Sequence, residues 1–381
     1  MHYLKAACGF VCFLILASNV WSMSRWSEAR GVYDDVCYLR QAHLFQKFGL
    51  GGLDTDVLRD DDQYLSSKLK EIGFPDWSDP TKAPCHNLMP ATQKWVLQYP
   101  PGTGFVLALF PAGFQVIPLY VLATVAVLGF ALLGISYART KASVLLASAF
   151  GCLAIYLMIN PAKASYSVAL TTVICALAGY LTARLFLSRQ RRHRLLLTFL
   201  VGLLIGLAVN FRVPNLFLAS GYLVFFCVSF LSSRKIETVL QGALFAAALL
   251  MGMAPTLLAN AINAGSPFAT TYGSADVTPP VFSFSVIWSY VTDMQFALLV
   301  LAGVWIVLML RRLRGDAIRR VALVTAVNLV VSFAFFMSHS VFTPYYTIPV
   351  VMLSLWSLLF VTLMQPAEAV DGGAVGQASK A

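Results

Sequence analysis

The chain has 381 residues, of which 59% are hydrophobic and only 12% charged, and its mean hydropathy is +0.74. An ordinary soluble domain carries about twice that charged fraction, so a water-soluble globule is excluded. The formal charge of +10 does not indicate nucleic acid either, because the basic residues fall in short clusters between apolar runs, where they act as topology signals.

In chain order the apolar runs lie at residues 6–22, 114–137, 142–160, 165–187, 195–211, 213–231, 239–262, 286–310, 321–338 and 343–364. A helix needs about 20 residues to cross ~30 Å of hydrocarbon. Lipid offers the backbone no hydrogen bonds, so each run is expected to be helical. The short alternating segments of a transmembrane barrel are not seen. The expected fold class is therefore all-α, a polytopic transmembrane helix bundle of about ten spans. Its first loop, residues 23–98, is expected to be extracytoplasmic and to contain short helices. A shorter apolar piece, Gly102 to Phe110, follows Pro100-Pro101 and stops at Pro111; it reads as re-entrant or interfacial. Residues 1–365 form one transmembrane domain. The polar, glycine-rich tail at 366–381 holds too little apolar surface to order itself and is expected to be a disordered cytoplasmic tail.

Basic residues set the expected orientation. With the N-terminus in the cytoplasm, the inside connections hold Arg139 and Lys141, then Arg189, Arg191, Arg192 and Arg194, then Arg234 and Lys235. The last inside connection adds Arg311, Arg312, Arg314, Arg319 and Arg320, whereas the short outside connections hold Lys163 and Arg212. Both termini are thus expected on the cytoplasmic side of a plasma (bacterial inner) membrane. The first run reads as a signal anchor, with cleavage near Ala17-Ser18-Asn19 as the alternative. Cys8, Cys12, Cys152, Cys175 and Cys227 lie in apolar runs and behave as small hydrophobes. Cys37 and Cys85 share the outside loop; in an oxidising compartment they are a disulfide candidate, with two free thiols as the alternative.

The runs are nearly free of ionisable side chains, and Asp293, Arg184 and His339 sit near their ends. Chemistry is therefore expected at a membrane face and not along a midplane ion path. Five polar clusters supply candidates. Tyr33-Asp34-Asp35, continuing through Tyr38, Arg40 and Ala42, reads as a helix starting near Asp34. A carboxylate there is placed to take a proton from a hydroxyl or hold a cation, although capping the helix is the simpler role. In Gln98-Tyr99-Pro100-Pro101-Gly102-Thr103-Gly104 the prolines force an extended approach and the glycines permit close backbone contact.

Asn210-Phe211-Arg212-Val213-Pro214-Asn215 pins an arginine at the outer interface. Arginine there is suited to grip a phosphate with two donors, or simply to snorkel toward lipid headgroups. Asn263 through Phe268 leads to Tyr272-Gly273 and Asp276, and Ser338-His339-Ser340 leads to Thr343-Pro344-Tyr345-Tyr346. His339 is a candidate phosphate or proton contact. Asp60-Asp61-Asp62 lacks the spaced ligands of a calcium loop and reads as solvated surface. No nucleotide-phosphate loop, zinc spacing or serine elbow is present, so a soluble nucleotide-sugar donor is not supported.

Taken in this order, the clusters resemble the GT-C superfamily of membrane glycosyltransferases. The likeness is to the branch containing protein O-mannosyltransferases, lipid A aminoarabinose transferases and rhizobial core galacturonosyltransferases. It covers Met1 to about Gln365 and rests on short motifs in a shared order. Asp34-Asp35 with Tyr38 and Ala42 follows the first span, and Tyr99-Pro100-Pro101 introduces the next. Gly206 to Arg212 and Pro214 come later, then Gly265-Ser266-Pro267-Phe268 after Asn260 and Asn263, with Tyr272-Gly273 following. The acidic pair is Asp-Asp where the family has Asp-Glu, and the family's late Arg-Tyr segment appears as His339 to Tyr346 without arginine.

The resemblance implies transfer of a sugar from a polyprenyl-phosphate donor to a lipid, glycan or protein acceptor at the outer face. It implies catalytic roles for Asp34 and Asp35, and substrate contacts for Tyr38, Arg40, Tyr99, Arg212, Asn215, Tyr272, His339 and Tyr345. The expected partners are that donor, the acceptor and membrane lipids. A divalent cation is left open and no other cofactor is expected. A lipid or small-molecule transporter or flippase, and a non-catalytic membrane scaffold of the same fold, are the alternatives.

Overall fold

The computed structural model describes residues 1–26, 33–158, 165–273, 279–312, 315–339 and 342–365. The tail at 366–381, together with Lys163, Asp276, Arg314 and Ser340, lies outside the described residues. The apolar runs read from the sequence are helical over most of their described length. Helix α1 (His2–Met23) leads into the first loop, which is built from α2 (Tyr33–Phe48), α3 (Tyr64–Glu71) and a hairpin. The hairpin pairs β1 (His86–Met89) with β2 (Lys94–Leu97) antiparallel, His86 opposite Leu97, and the short α4 (Gly102–Leu107) follows. The bundle continues through α5 (Val116–Tyr137), α6 (Lys141–Leu157), α7 (Tyr166–Leu187) and α8 (Arg191–Val209). A 3-10 turn then opens α9 (Ser220–Ser233), followed by α10 (Ile236–Ala264), α11 (Phe284–Thr292) and α12 (Phe296–Arg312). Helix α13 (Asp316–Ser338) and α14 (Ile348–Met364) complete it.

Eight helical segments among the described residues are long and apolar enough to cross a membrane. They are α1, α5, α7, α8, α9 with its leading turn, α10, α13, and α14 with its leading turn. Helices α11 and α12 reach that length only as a pair bent by 79°, and α6 has 17 residues. The architecture is an all-α bundle. Among the described residues, strands occur only in the loop hairpin.

Small residues let these helices pack without a hydrophobic driving force between them. A Cβ on Gly206 of α8 would lie 2.2 Å from the Leu249 carbonyl oxygen of α10, and one on Gly252 would lie 2.4 Å from the Leu203 carbonyl oxygen. Helix α14 is buried on all sides, and Trp356 packs on Gly179 of α7, where a Cβ would come within 2.6 Å of the Trp356 Cβ. Pro255 inside α10 removes one backbone donor, as proline must, and Asn210 at the end of α8 braces the same turn. Its Nδ2 donates to the Gly252 carbonyl at 2.7 Å, and its Oδ1 accepts from the Thr256 amide at 3.0 Å. The end of α8, and with it Arg212, is held against α10 by this exchange.

Candidate functional site

The loop is fastened to one end of the bundle by side chains that satisfy backbone groups. Asn263, near the end of α10, accepts from the Thr55 amide at 3.0 Å and donates to the Leu53 carbonyl at 2.8 Å. The hairpin docks on the segment after α10: Asn87 donates to the Thr271 carbonyl, and the Thr271 hydroxyl donates to the Gln98 carbonyl at 2.9 Å. Gly102 donates its amide to the Asn210 carbonyl at 2.7 Å, an approach that leaves no room for a Cβ. Helix α4 lies on α2 in the same way, with Gly104 against Gln41. Residues 33–42, 98–104, 210–215 and 263–273 thus converge.

Their meeting point is a cage of tyrosines. The Tyr38 ring stacks on Tyr99 with centroids 4.7 Å apart. The Arg212 guanidinium lies over two rings from the last segment, 4.0 Å from the Tyr346 centroid and 4.9 Å from Tyr345. Tyr38, Tyr272 and Tyr345 each interact electrostatically with both Asp34 and Arg212. Burial pushes the Tyr38 phenol up to about 12 against the opposing pull of Arg212. Burial also raises Tyr99, with Asp34 adding to it, and Tyr272, with Tyr38 adding to it. These phenols therefore stay protonated and offer neutral hydrogen-bond donors.

Beside Arg212 opens a cavity of about 400 Å³, lined also by Thr270, Tyr272, Phe335, His339 and Tyr346. Nη1 of Arg212 is buried and has no hydrogen-bond partner among the described residues. A ring face attracts the cation but does not satisfy its N–H groups, and buried donors are normally paired. Arg212 therefore carries a buried, unsatisfied charged donor beside the pocket, a group suited to pair with an anion that has several acceptor oxygens.

Asp34 and Asp35 part company. Asp34 is half-buried beside the cage, whereas Asp35 is buried and lies within electrostatic reach of Tyr120 on α5. Two expected contacts belong to the scaffold. Arg40 is fully buried inside the loop and donates to the Thr55 and Asp56 carbonyls at 2.9 and 2.8 Å, with His86 Nε2 at 2.8 Å from Nη1. Burial lowers Arg40 to about 10, and burial together with Arg40 lowers His86 to about 3. Arg40 thus acts as a staple of the loop. Asn215 is likewise held by the scaffold: it is buried and donates to the Thr171 hydroxyl and the Ala208 carbonyl, closing the turn after α8.

Cys37 and Cys85 form a disulfide that ties α2 to the residue just before β1. Among the described residues no group of three or more His, Cys, Asp or Glu side chains is placed to hold a metal ion. Sequence reasoning named Tyr346 within its cluster but gave it no contact role, although its ring lies nearer Arg212 than that of Tyr345. It passed over Tyr290 of α11, whose hydroxyl accepts from the Thr343 amide at 3.2 Å and so braces the segment carrying both rings. Comparison of the sequence with family models and with curated proteins, and of the fold with solved structures, finds no match.

Proposed function

We propose that this chain is a membrane-embedded transferase that works at one face of the bilayer on a phosphate-bearing lipid. More particularly, it is a GT-C-type glycosyltransferase that moves a sugar from a polyprenyl-phosphate donor to a lipid, glycan or protein acceptor. The observation that carries this reading is the unpartnered Nη1 of Arg212, beside a cavity and among tyrosines that also interact electrostatically with Asp34. In the proposed reaction Asp34 takes the proton of the acceptor hydroxyl, whose oxygen forms the new bond to the anomeric carbon. The bond from that carbon to the donor phosphate breaks, and its electron pair leaves with the phosphate oxygen. Arg212, with His339 and the phenols, stabilises the charge that develops there. Asp35, being buried, positions α2.

The same reading takes the bent α11–α12 pair and α6 as two further spans, for about ten in all, with both termini in the cytoplasm of a bacterial inner-membrane protein. In its support, Arg212 and His339 lie at one end of α8 and α13 while the basic clusters at Arg194 and Arg320 lie at the other, as the charge rule favours.

The test is purified protein with a polyprenyl-phosphate sugar and an acceptor pool, following donor consumption by mass spectrometry. Asp34→Asn and Arg212→Ala are each expected to lower turnover about 100-fold or more at unchanged protein level. Donor consumption that survives both changes sinks the assignment, and lipid translocation without consumption supports a flippase instead.

A further inference from the structure

At the opposite end of the bundle a cavity of about 680 Å³ opens between α8, α9, α10 and α13. Its depth is apolar, lined by Val228 of α9 and Leu323 of α13, and its mouth carries Arg194, Lys235 and Arg320, with Glu237 in the lining and Asp316 3.6 Å from Arg320. Arg194 already binds Glu237 at 2.8 Å, and its Nε remains buried without a partner. The apex is set by Gly221, whose amide donates to Asn328 Oδ1 at 2.6 Å and where a Cβ would lie 2.1 Å from the Val324 carbonyl oxygen. Helices α9 and α13 touch there, and the cavity extends from that contact to Ser233. That stretch of α9 rises roughly 18 Å, close to the ~15 Å depth of one leaflet's hydrocarbon.

We infer that this groove seats one anionic phospholipid of the adjoining leaflet, an acyl chain between α9 and α13 and the phosphate among Arg194, Lys235 and Arg320. An apolar slot one leaflet deep with an excess of cations at headgroup level matches that molecule and no soluble anion. The site is about 22 Å along α8 from the helix end that leads to Arg212, so it holds whether or not sugar transfer does; it needs only that these helices cross a bilayer.

The experiment is native mass spectrometry of the full chain in detergent, titrated with phosphatidylglycerol or phosphatidylcholine of matched chains. Phosphatidylglycerol is expected to be retained preferentially. Lys235→Ala and Arg320→Ala should each weaken that preference about fivefold, and Val228→Trp, which fills the apolar depth, should remove retention of both lipids. Thermal transitions in phosphatidylcholine check that each variant is folded. Equal retention of the two lipids, indifference to all three substitutions, or full displacement by excess inorganic phosphate would each overturn the assignment.

Discussion

A helix turns by about 100° per residue, and that rotation separates the roles of Asp34 and Asp35 more sharply than their adjacency suggests. Asp34 interacts with the cage tyrosines that also feel Arg212, and Asp35 with Tyr120 of α5. Arg212→Lys is therefore an informative change. Lysine keeps the charge but loses the planar fork and its stacking on Tyr345 and Tyr346, so turnover should fall nearly as far as with alanine, read as kcat in the donor-consumption assay.

Arg40 and His86 call for a different measurement. Arg40→Ala should destabilise the protein by about 3–5 kcal/mol, because it leaves buried partners unsatisfied; a drop in thermal transition, with unchanged turnover in whatever remains folded, is expected. His86 has a folded-state pKa of about 3, below its ordinary 6.5. The unfolded loop takes up a proton that the folded loop refuses, so the contribution is complete above about 6.5 and is lost as pH falls toward 3. The slope is about tenfold in the opening equilibrium per pH unit. Hydrogen exchange across residues 86–97 at pH 7 and pH 4 should show it, and His86→Asn should flatten it.

Helix contacts in this bundle are made by backbones brought close together. Gly206 and Gly252 meet carbonyl oxygens at distances no Cβ tolerates, whereas Gly303 on α12 faces open space. Gly206→Val should therefore drive α8 from α10, with a large loss of thermal stability in detergent and, because Arg212 rides on the end of α8, a loss of turnover too. Gly303→Ala should be neutral or slightly stabilising, by up to ~1 kcal/mol. Equal effects at the two sites would remove the close-packing argument. The spacing Gly202-x-x-x-Gly206 was open to inspection in the sequence as a small-residue motif, but its partner on α10 was not, since pairing of helices depends on contacts that local composition does not encode.

For the whole molecule, the disulfide and the topology are the testable features. Cys37–Cys85 closes a separation of 48 residues, for which loop-closure entropy predicts about 4 kcal/mol. Cys37→Ser and reduction of the native chain should lower the thermal transition equally, with no further effect of reductant on the variant. Reporter fusions at Arg189, Arg234 and Arg311 should all report one side, and fusions within 54–62 the other.

Apolar runs, their helical state and the positions of chain polar clusters were legible in the sequence, because burial in lipid demands long hydrophobic segments and internal backbone hydrogen bonds whatever the neighbours are. The same patterning left open which polar residues would meet. Arg40, Asn215, Tyr38 and Arg212 all read as candidate contacts, yet the first two satisfy backbone carbonyls inside the scaffold and the last two line the cage. Only tertiary structure decided this, since a donor's role depends on which acceptors packing brings within about 3 Å, and for Asn215 one such acceptor lies 44 residues away in the chain, for Asn263 210.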